Sequence, residues 1–422
     1  MLIAGRGRSG EHHGHGSAGG GDGGGGAARA TSGHHSGGES VAGPLPTPAL
    51  LKRPRVSRID YAKAVAVILV VVGHVVGGLD ASKIPEDGLS TALHGLHLKN
   101  SFRMPALFLI AGIFAERSLR KGYGVFVREK AGYLLYPYLL WNLINYGVMF
   151  SAHEAEAALG RKLVNTPLME LPDFIEMLVF RTRDLWFLYA LFLTLALYGL
   201  LRLVGLRIRW ILAIAFVTHV IARLGLVDAV PMAFQVGRLL FYFTLGAAFA
   251  DTILAVGHRA RLWQPLALAL GFGAAMMWFA SSEVLEIPHR MDGRERAILD
   301  TDNLRLLAAQ LPVRMSVSLT GIGALLSLAV LFERLNGPRL LEYLGKISME
   351  VYIVSSFGMV ASRILLNKVL GIEQAWILIL GGVSAGLISP VLVVWLTNLV
   401  GFKYLFRFNK ASPAFTSRPA AT

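Results

Sequence analysis

The sequence predicts an all-α integral membrane protein, and three observations support this prediction. Of the 422 residues, 54% are hydrophobic and only 16% are charged, whereas soluble domains carry about a quarter charged residues. Apolar stretches close to the roughly 20 residues that a helix needs to cross a bilayer recur along the chain. Basic residues are concentrated in alternate connecting loops. Together these features indicate a bundle of transmembrane helices.

About ten spans follow residue 60, and the positions of the basic residues orient them. The short loops that share a side with the N-terminus carry most of the arginine and lysine residues, whereas the alternate loops are longer and mixed in charge. The positive-inside rule therefore predicts that both termini are cytoplasmic. The predicted span cores are 61–79, 103–117, 132–150, 185–204, 208–225, 237–256, 263–281, 312–332, 349–367 and 375–400.

Composition divides the chain into three parts. Residues 1–50 are rich in glycine and histidine and cannot bury enough apolar surface to offset the entropy of ordering, so we expect a disordered leader. Residues 57–410 form the predicted transmembrane domain, and residues 411–422 form a short cytoplasmic tail.

Several function classes are excluded by what the sequence lacks. It has no cysteine, which excludes disulfides, a cysteine nucleophile and an acyl-thioester on the protein itself. The GxSxG, HExxH and phosphate-binding GxxxxGK[ST] patterns are missing, and no metal-ligand spacing occurs. The basic residues are scattered among loops instead of forming one stripe, so we expect no nucleic-acid partner.

The first span carries two ionisable residues on one helix face. His74 follows Lys63 by eleven residues, which is about three helical turns and about 16 Å along the axis. An ionisable group in hydrocarbon indicates a functional site by default. His74 is either a general base for a hydroxyl group or a histidine that only stabilises the bundle. Lys63 is either an interfacial anchor or an anion-binding residue, and Asp60, one turn earlier, can pair with it.

Further candidates lie near the ends of other spans. Arg103 opens the second span and is predicted at the outer interface, as an anchor or as a ligand of a polar substrate. Arg183, Asp184 and Trp186 lie at the outer end of the fourth span, where Trp186 fits an interfacial belt and Arg183 and Asp184 can also contact a sugar-like acceptor. Glu350 begins the ninth span, where the helix dipole favours a carboxylate, with a buried functional role as the alternative.

These residues fall into motifs that resemble one family. Asp60, Lys63 and His74 match an Asp-x-x-Arg/Lys pattern followed, after ten further residues, by His. Residues 102–112 are similar to a Phe-His-Met-Pro-x-Phe-Phe-x-x-Ser-Gly motif, with Arg103 and Ala111 as departures. Arg128 and Lys130 before Tyr136-Pro137-Tyr138, the Leu-Trp-Phe-Leu of 185–188 and the stretch 345–355 add further matches. The chain thus resembles, over residues 57–410, the acyltransferase type 3 family of membrane O-acyltransferases.

The resemblance implies a function and assigns roles. Family members transfer an acyl group, usually acetyl, from acyl-CoA to a hydroxyl of a cell-surface or secreted glycan, at the inner (plasma) membrane. Acyl-CoA is a co-substrate here, with no tightly bound cofactor and no metal, and a glycan or lipid-linked sugar is the acceptor. His74 would be the catalytic base, because Ser355 stands where many members have a second histidine. The residues that would bind or support the donor are Asp60, Lys63, Arg128 and Lys130. Those that would contact the acceptor or support the site are Arg103, Arg183, Asp184, Trp186, Ser348, Glu350 and Tyr352.

A polytopic transporter is the main alternative. About ten spans with intramembrane charges also suit an exporter of a glycan or a small organic acid. Such a protein should consist of two related halves with paired broken helices, and the sequence shows no convincing internal repeat. The sequence therefore predicts a stand-alone acyltransferase, without the extracytoplasmic domain that some family members carry.

Overall fold

A computed structural model describes the helical part of the chain and contains no strand in the residues it describes. These residues are 57–82, 84, 88, 102–160, 170–180, 185–224, 227, 230–255, 261–282, 301–402 and 404–408. The predicted leader (1–50) and tail (411–422) lie outside the described residues, as do Arg183 and Asp184. The all-α prediction is confirmed for the described part.

The helices follow one another in the order that the apolar segments predict. The first half of the chain contains α1 (Ser57–Ala81), α2 (Arg103–Ile113), α3 (Ala115–Leu119), α4 (Tyr123–Lys130), a π-helical turn (Ala131–Leu135), α5 (Tyr136–Leu159), α6 (Leu171–Val179) and α7 (Trp186–Leu203). The second half contains α8 (Ile208–Arg223), α9 (Pro231–Ala248), α10 (Ala250–Ala255), α11 (Trp263–Ala280), α12 (Thr301–Arg334), α13 (Arg339–Lys346), α14 (Ser348–Arg363), a second π-helical turn (Ile364–Val369) and α15 (Ala375–Val400).

Each of the ten predicted spans coincides with helical structure, but fewer are long and apolar enough to cross a membrane. Among the described residues, six helical segments meet both criteria: Ser57–Asp80, Trp186–Leu203, Trp263–Ala280, Arg305–Arg334, Ser348–Val369 and Ala375–Val400. The other predicted spans fall on helices that are shorter or less apolar. The protein is therefore a multi-pass membrane protein, and the count of ten spans stays a prediction.

Helix α2 is the clearest departure from a regular span. It has 11 residues, so it extends only about 16 Å, roughly half the thickness of the hydrocarbon core. Phe114 interrupts the helix before α3 begins. The predicted second span, 103–117, is thus a half-span followed by a break.

Helix α1 is the central element of the bundle. It packs against α2, α12, α13, α14 and α15. In its most apolar stretch 56% of the residues are buried, compared with 17% in the peripheral α11. Small and β-branched residues, among them Ala62, Ala66, Val67 and Val71, allow this close packing and are almost completely buried. A residue on α1 is therefore held more rigidly than one on an outer helix.

The N-terminal end of α1 is fixed by contacts with distant parts of the chain. A Cβ added at Gly345 of α13 would overlap the backbone carbonyl of Asp60, so only glycine permits this approach. The Tyr61 hydroxyl donates a hydrogen bond to the carbonyl of Gly337 at 3.0 Å. The Arg58 guanidinium donates to the carbonyl of Leu254 at 2.9 Å.

We expect Gly345→Ala to destabilise the protein by about 1–3 kcal/mol, because the added methyl group forces α13 away from Asp60. Thermal unfolding of the purified protein in detergent measures this effect. Gly271→Ala in α11 is the matched control, since a Cβ there meets nothing within 4 Å. Equal unfolding temperatures for the two variants would contradict the proposed close contact.

Candidate active site

His74 lies on the central helix and its side chain opens into a cavity. The imidazole is exposed, although its neighbours Val75 and Val76 are buried. The cavity has a volume of about 200 Å³ and is called the His74 cavity below. Its polar and charged lining consists of His74, Tyr352, Ser355, Ser356 and Arg363, and its apolar lining includes Leu79, Leu185, Met359 and Leu378.

One face of α14 forms the wall opposite α1. Tyr352, Ser355, Met359 and Arg363 recur at intervals of three or four residues, which places them along one helix face. Tyr352 and Ser355 are buried in the bundle. The position at which the family often has a second histidine is thus occupied by a serine that shares the cavity with His74.

Arg363 closes one end of the cavity, and the sequence analysis missed it. One nitrogen of its guanidinium, Nη1, donates hydrogen bonds of 2.8 Å to the carbonyl of Gly78 and to the hydroxyl of Ser82. These bonds satisfy polar groups near the C-terminal end of α1, where helix carbonyls lack intrahelical partners. An arginine inside the predicted span 349–367 was the available signal, because such residues are rare in hydrocarbon.

Asp60 and Lys63 form the ion pair that their spacing predicts. The Lys63 ammonium lies 2.8 Å from a carboxylate oxygen of Asp60, with 24% of the lysine side chain and 3% of the aspartate side chain exposed. Asp60 therefore neutralises much of the charge on Lys63. An anionic donor bound at this end of α1 requires additional cations.

Two such cations, Arg128 and Lys130, occur in the last turn of α4. Arg128 is exposed, whereas Lys130 is half-buried with its ammonium 5.7 Å from the centre of the Phe126 ring. Lys130 is the last residue of α4. Burial lowers the pKa of its ammonium, whereas the negative charge of the nearby Glu129 raises it. No contact joins these residues to Lys63 in the described part of the chain.

Glu350 belongs to a structural network at the start of α14. It is buried in the first helical turn, where the dipole favours a carboxylate, and it lies 3.6 Å from the guanidinium of Arg407. Arg407 also stacks over the Tyr133 ring at 4.7 Å. The network thus connects the first π-helical turn, which follows Lys130, to the beginning of α14. Ser348 is the half-buried first residue of this helix.

Arg103, predicted at the outer interface, contacts the middle of α1. Its Nη1 donates a 2.8 Å hydrogen bond to the carbonyl of Leu69, which is near the middle of the 25-residue α1. The reason is that α2 starts halfway along α1 and not at its end. Arg103 is therefore a charged residue inside the bundle. Its contact on α1, Leu69, lies five residues before His74.

Trp186 connects the His74 cavity to a second charged region. It is the first residue of α7 and directly follows Leu185, which lines the cavity. The guanidinium of Arg238 lies 5.8 Å from the centre of the Trp186 ring. Trp186 therefore makes a cation–π contact with Arg238 in addition to the interfacial role that the sequence suggested.

The fold and the cavity together define the class of membrane protein to which the chain belongs. They describe a multi-pass helical membrane protein whose central helix presents a histidine to an internal cavity and an ion-paired lysine to one end. The sequence matches the acyltransferase domain family over residues 56–397. The chain therefore belongs to the acyltransferase type 3 family, and it is a membrane acyltransferase by family. Comparisons with curated proteins and with solved structures gave no match.

We expect Lys63→Met to lower the stability by about 1–3 kcal/mol, because it removes the cation 2.8 Å from a buried carboxylate. This loss of stability is smaller than that expected for a fully buried ion pair, because the Lys63 side chain is partly exposed. The double variant Asp60→Asn, Lys63→Met should recover much of this loss, since no buried charge is left over. Thermal unfolding of both variants measures the coupling.

Lys121→Met is the control for this pair. Its ammonium lies at the same 2.8 Å from Glu129, but both side chains are about half exposed, and such surface pairs contribute little. If Lys63→Met unfolds at the temperature of Lys121→Met, the Asp60–Lys63 pair has no structural importance.

Proposed function

We propose that the protein transfers an acyl group, usually acetyl, from acyl-CoA to a hydroxyl of a cell-surface or secreted glycan. The acceptor is free or linked to a lipid, and the enzyme resides in the inner (plasma) membrane. One observation carries the proposal: the only ionisable residue that α1 contributes to the described cavity is His74, and imidazole is the usual base for activating a hydroxyl. Family membership favours this reading over an exporter.

The proposed donor site is the end of the bundle that contains the Asp60–Lys63 pair. Lys63, Arg128 and Lys130 supply positive charge for the phosphate groups of the donor, and Asp60 orients Lys63 through their ion pair. Lys63 lies about 16 Å below His74 along α1. The donor therefore has to place its thioester deep in the bundle while its phosphates stay at the end.

The cavity accommodates the reacting groups and not the whole donor. Its volume of about 200 Å³ is below the roughly 300–1,000 Å³ of sites that enclose a complete small ligand. The bulk of acyl-CoA and of the glycan thus remains outside, and only the thioester and one hydroxyl approach His74. Tyr352, Ser355 and Arg363 are the other polar residues available there.

The chemistry needs one base that later acts as an acid. His74 accepts the proton of the acceptor hydroxyl while the hydroxyl oxygen attacks the thioester carbonyl. The tetrahedral intermediate collapses with cleavage of the carbon–sulfur bond, and the imidazolium returns the proton to the leaving thiolate. The products are an ester of the acceptor and free CoA, and His74 is restored. Ser355 lies in the cavity where many family members have a second histidine. This serine supports a scheme in which His74 is the only base.

We expect His74→Ala to reduce acyl transfer by about 10²–10⁴-fold, because general-base catalysis contributes that much. Membranes that contain the wild type or the variant are incubated with radiolabelled acetyl-CoA, and label is followed into the glycan fraction. His153→Gln is the matched control: His153 pairs with Glu156 within α5 at 3.0 Å, away from the cavity lining.

Transfer by His74→Ala at the wild-type rate, with equal expression, would overturn the assignment of the base. If neither protein transfers acetyl, the same membranes are tested with succinyl-CoA. Transfer of succinyl that depends on His74 would keep the mechanism and change the donor, whereas no transfer of either group would reject the proposed donors.

A further inference from the structure

Three arginines that the sequence analysis did not single out come together at one level of the bundle. Arg223 is the last residue of α8, Arg238 is the eighth residue of α9, and Arg314 lies in α12. We call them the arginine triad. All three side chains are half-buried, and each belongs to a helix that is otherwise mostly apolar.

Close contact between α8 and α9 brings two of the triad together. A Cβ at Gly237 would lie 3.3 Å from the Cβ of Ala222, and a nitrogen of the His219 ring is 2.6 Å from the carbonyl of Arg238. Residues 222 and 237 precede Arg223 and Arg238, so the two guanidinium groups start from adjacent points of the backbone. Helix α12, which carries Arg314, contacts α8, and Arg314 interacts electrostatically with both other arginines.

The partners that the triad has within the described part of the chain are neutral. Arg238 donates to the side-chain oxygen of Gln235 at 2.7 Å and lies against the Phe234 and Trp186 rings. Arg314 donates to the side-chain oxygen of Gln310 at 3.1 Å. The Nε of Arg223 is buried and makes no hydrogen bond to any described group.

Such an arrangement is unfavourable unless an anion completes it. Three like charges in an apolar environment repel one another and lose hydration, and charged residues in membrane segments are normally paired. Guanidinium groups bind phosphate oxygens in a bidentate manner. A phosphate monoester carries up to about two negative charges, which suits three cations better than the single charge of a carboxylate does.

The triad lies at the level of His74. Arg58 at the start of α1 lies 3.4 Å from Glu333 at the end of α12, so these two residues mark one level of two antiparallel helices. His74 is about 24 Å along α1 from that level, and Arg314 is about 28 Å along α12. In addition, Arg238 contacts Trp186, whose neighbour Leu185 lines the His74 cavity.

We propose that the arginine triad is an anion site that binds a phosphate group of the acceptor and so directs an acceptor hydroxyl toward the His74 cavity. The acceptor role rests on the function proposed above, whereas phosphate binding by the triad does not. The shared chemistry is a phosphate group, and its source is either a lipid-linked intermediate or a soluble sugar phosphate.

Direct binding to the full-length protein in a neutral detergent tests the proposal. The probes are dodecyl phosphate for a lipid-linked source and glucose 1-phosphate for a soluble one, with dodecyl glucoside as the uncharged control. Affinity is measured by isothermal titration calorimetry, and thermal unfolding with and without each probe gives a second readout. Preference for dodecyl phosphate supports a lipid-linked acceptor, preference for glucose 1-phosphate supports a soluble one, and equal binding supports recognition of the phosphate alone.

Arg223→Gln is the informative variant, because the buried Nε of Arg223 has no hydrogen-bond partner among the described residues. We expect phosphate affinity to fall by about tenfold or more, since a hydrogen bond to a charged group is lost. The unfolding temperature without probe should stay the same or rise, because repulsion is relieved. Arg209→Gln is the matched control, at the opposite end of the same helix and exposed, and should bind phosphate as the wild type does.

Two results would overturn the proposal. One is a wild-type protein that binds neither phosphate probe better than dodecyl glucoside. The other is an Arg223→Gln variant that binds phosphate as tightly as the wild type, which would identify an arginine with a structural role only. The His74→Ala protein should still bind phosphate, so loss of its acyl transfer and loss of phosphate binding are separate outcomes.

Discussion

The arrangement of the site depends on the close contact between the start of α1 and α13. Gly345 allows the two backbones to approach at Asp60, and the buried Asp60 then pairs with Lys63. Because α1 is a single helix of 25 residues, fixing its start also fixes the height and rotation of His74. One backbone contact thus sets both the position of the lysine at the end of the bundle and that of the histidine within it.

The half-span α2 explains how polar groups reach the middle of the bundle. A full-length helix beside α1 would bury the face that carries His74, whereas an 11-residue helix covers only part of it. The start of α2 places Arg103 against the carbonyl of Leu69, and Arg363 of α14 binds the carbonyl of Gly78 from the other side. Two arginines therefore satisfy backbone carbonyls on either side of His74 along α1, which keeps this section of the helix polar without unfolding it.

Local spacing could be predicted from the sequence, whereas the meeting of distant helices could not. The Asp60–Lys63 pair and the shared face of Lys63 and His74 follow from helix geometry alone. The contact of Arg103 with the middle of α1 could not be predicted, because apolar length does not reveal where a short helix starts relative to its neighbour. The arginine triad was missed because Arg223, Arg238 and Arg314 belong to three separate segments, and only packing shows that they share one region. Arg183 and Asp184 stay predictions.

The charges of the bundle follow a pattern that separates structural from binding roles. Where a cation stabilises the fold, it has an acidic or carbonyl partner at short range: Arg58 has Glu333, Arg407 has Glu350 and Arg363 has Gly78. The triad differs, because its described partners are glutamine side chains and aromatic rings. These side chains hold the guanidinium groups in place, and none of those in the described part of the chain carries a negative charge. A phosphate group of the substrate, as proposed above, would supply negative charge to the triad at the level of the proposed base.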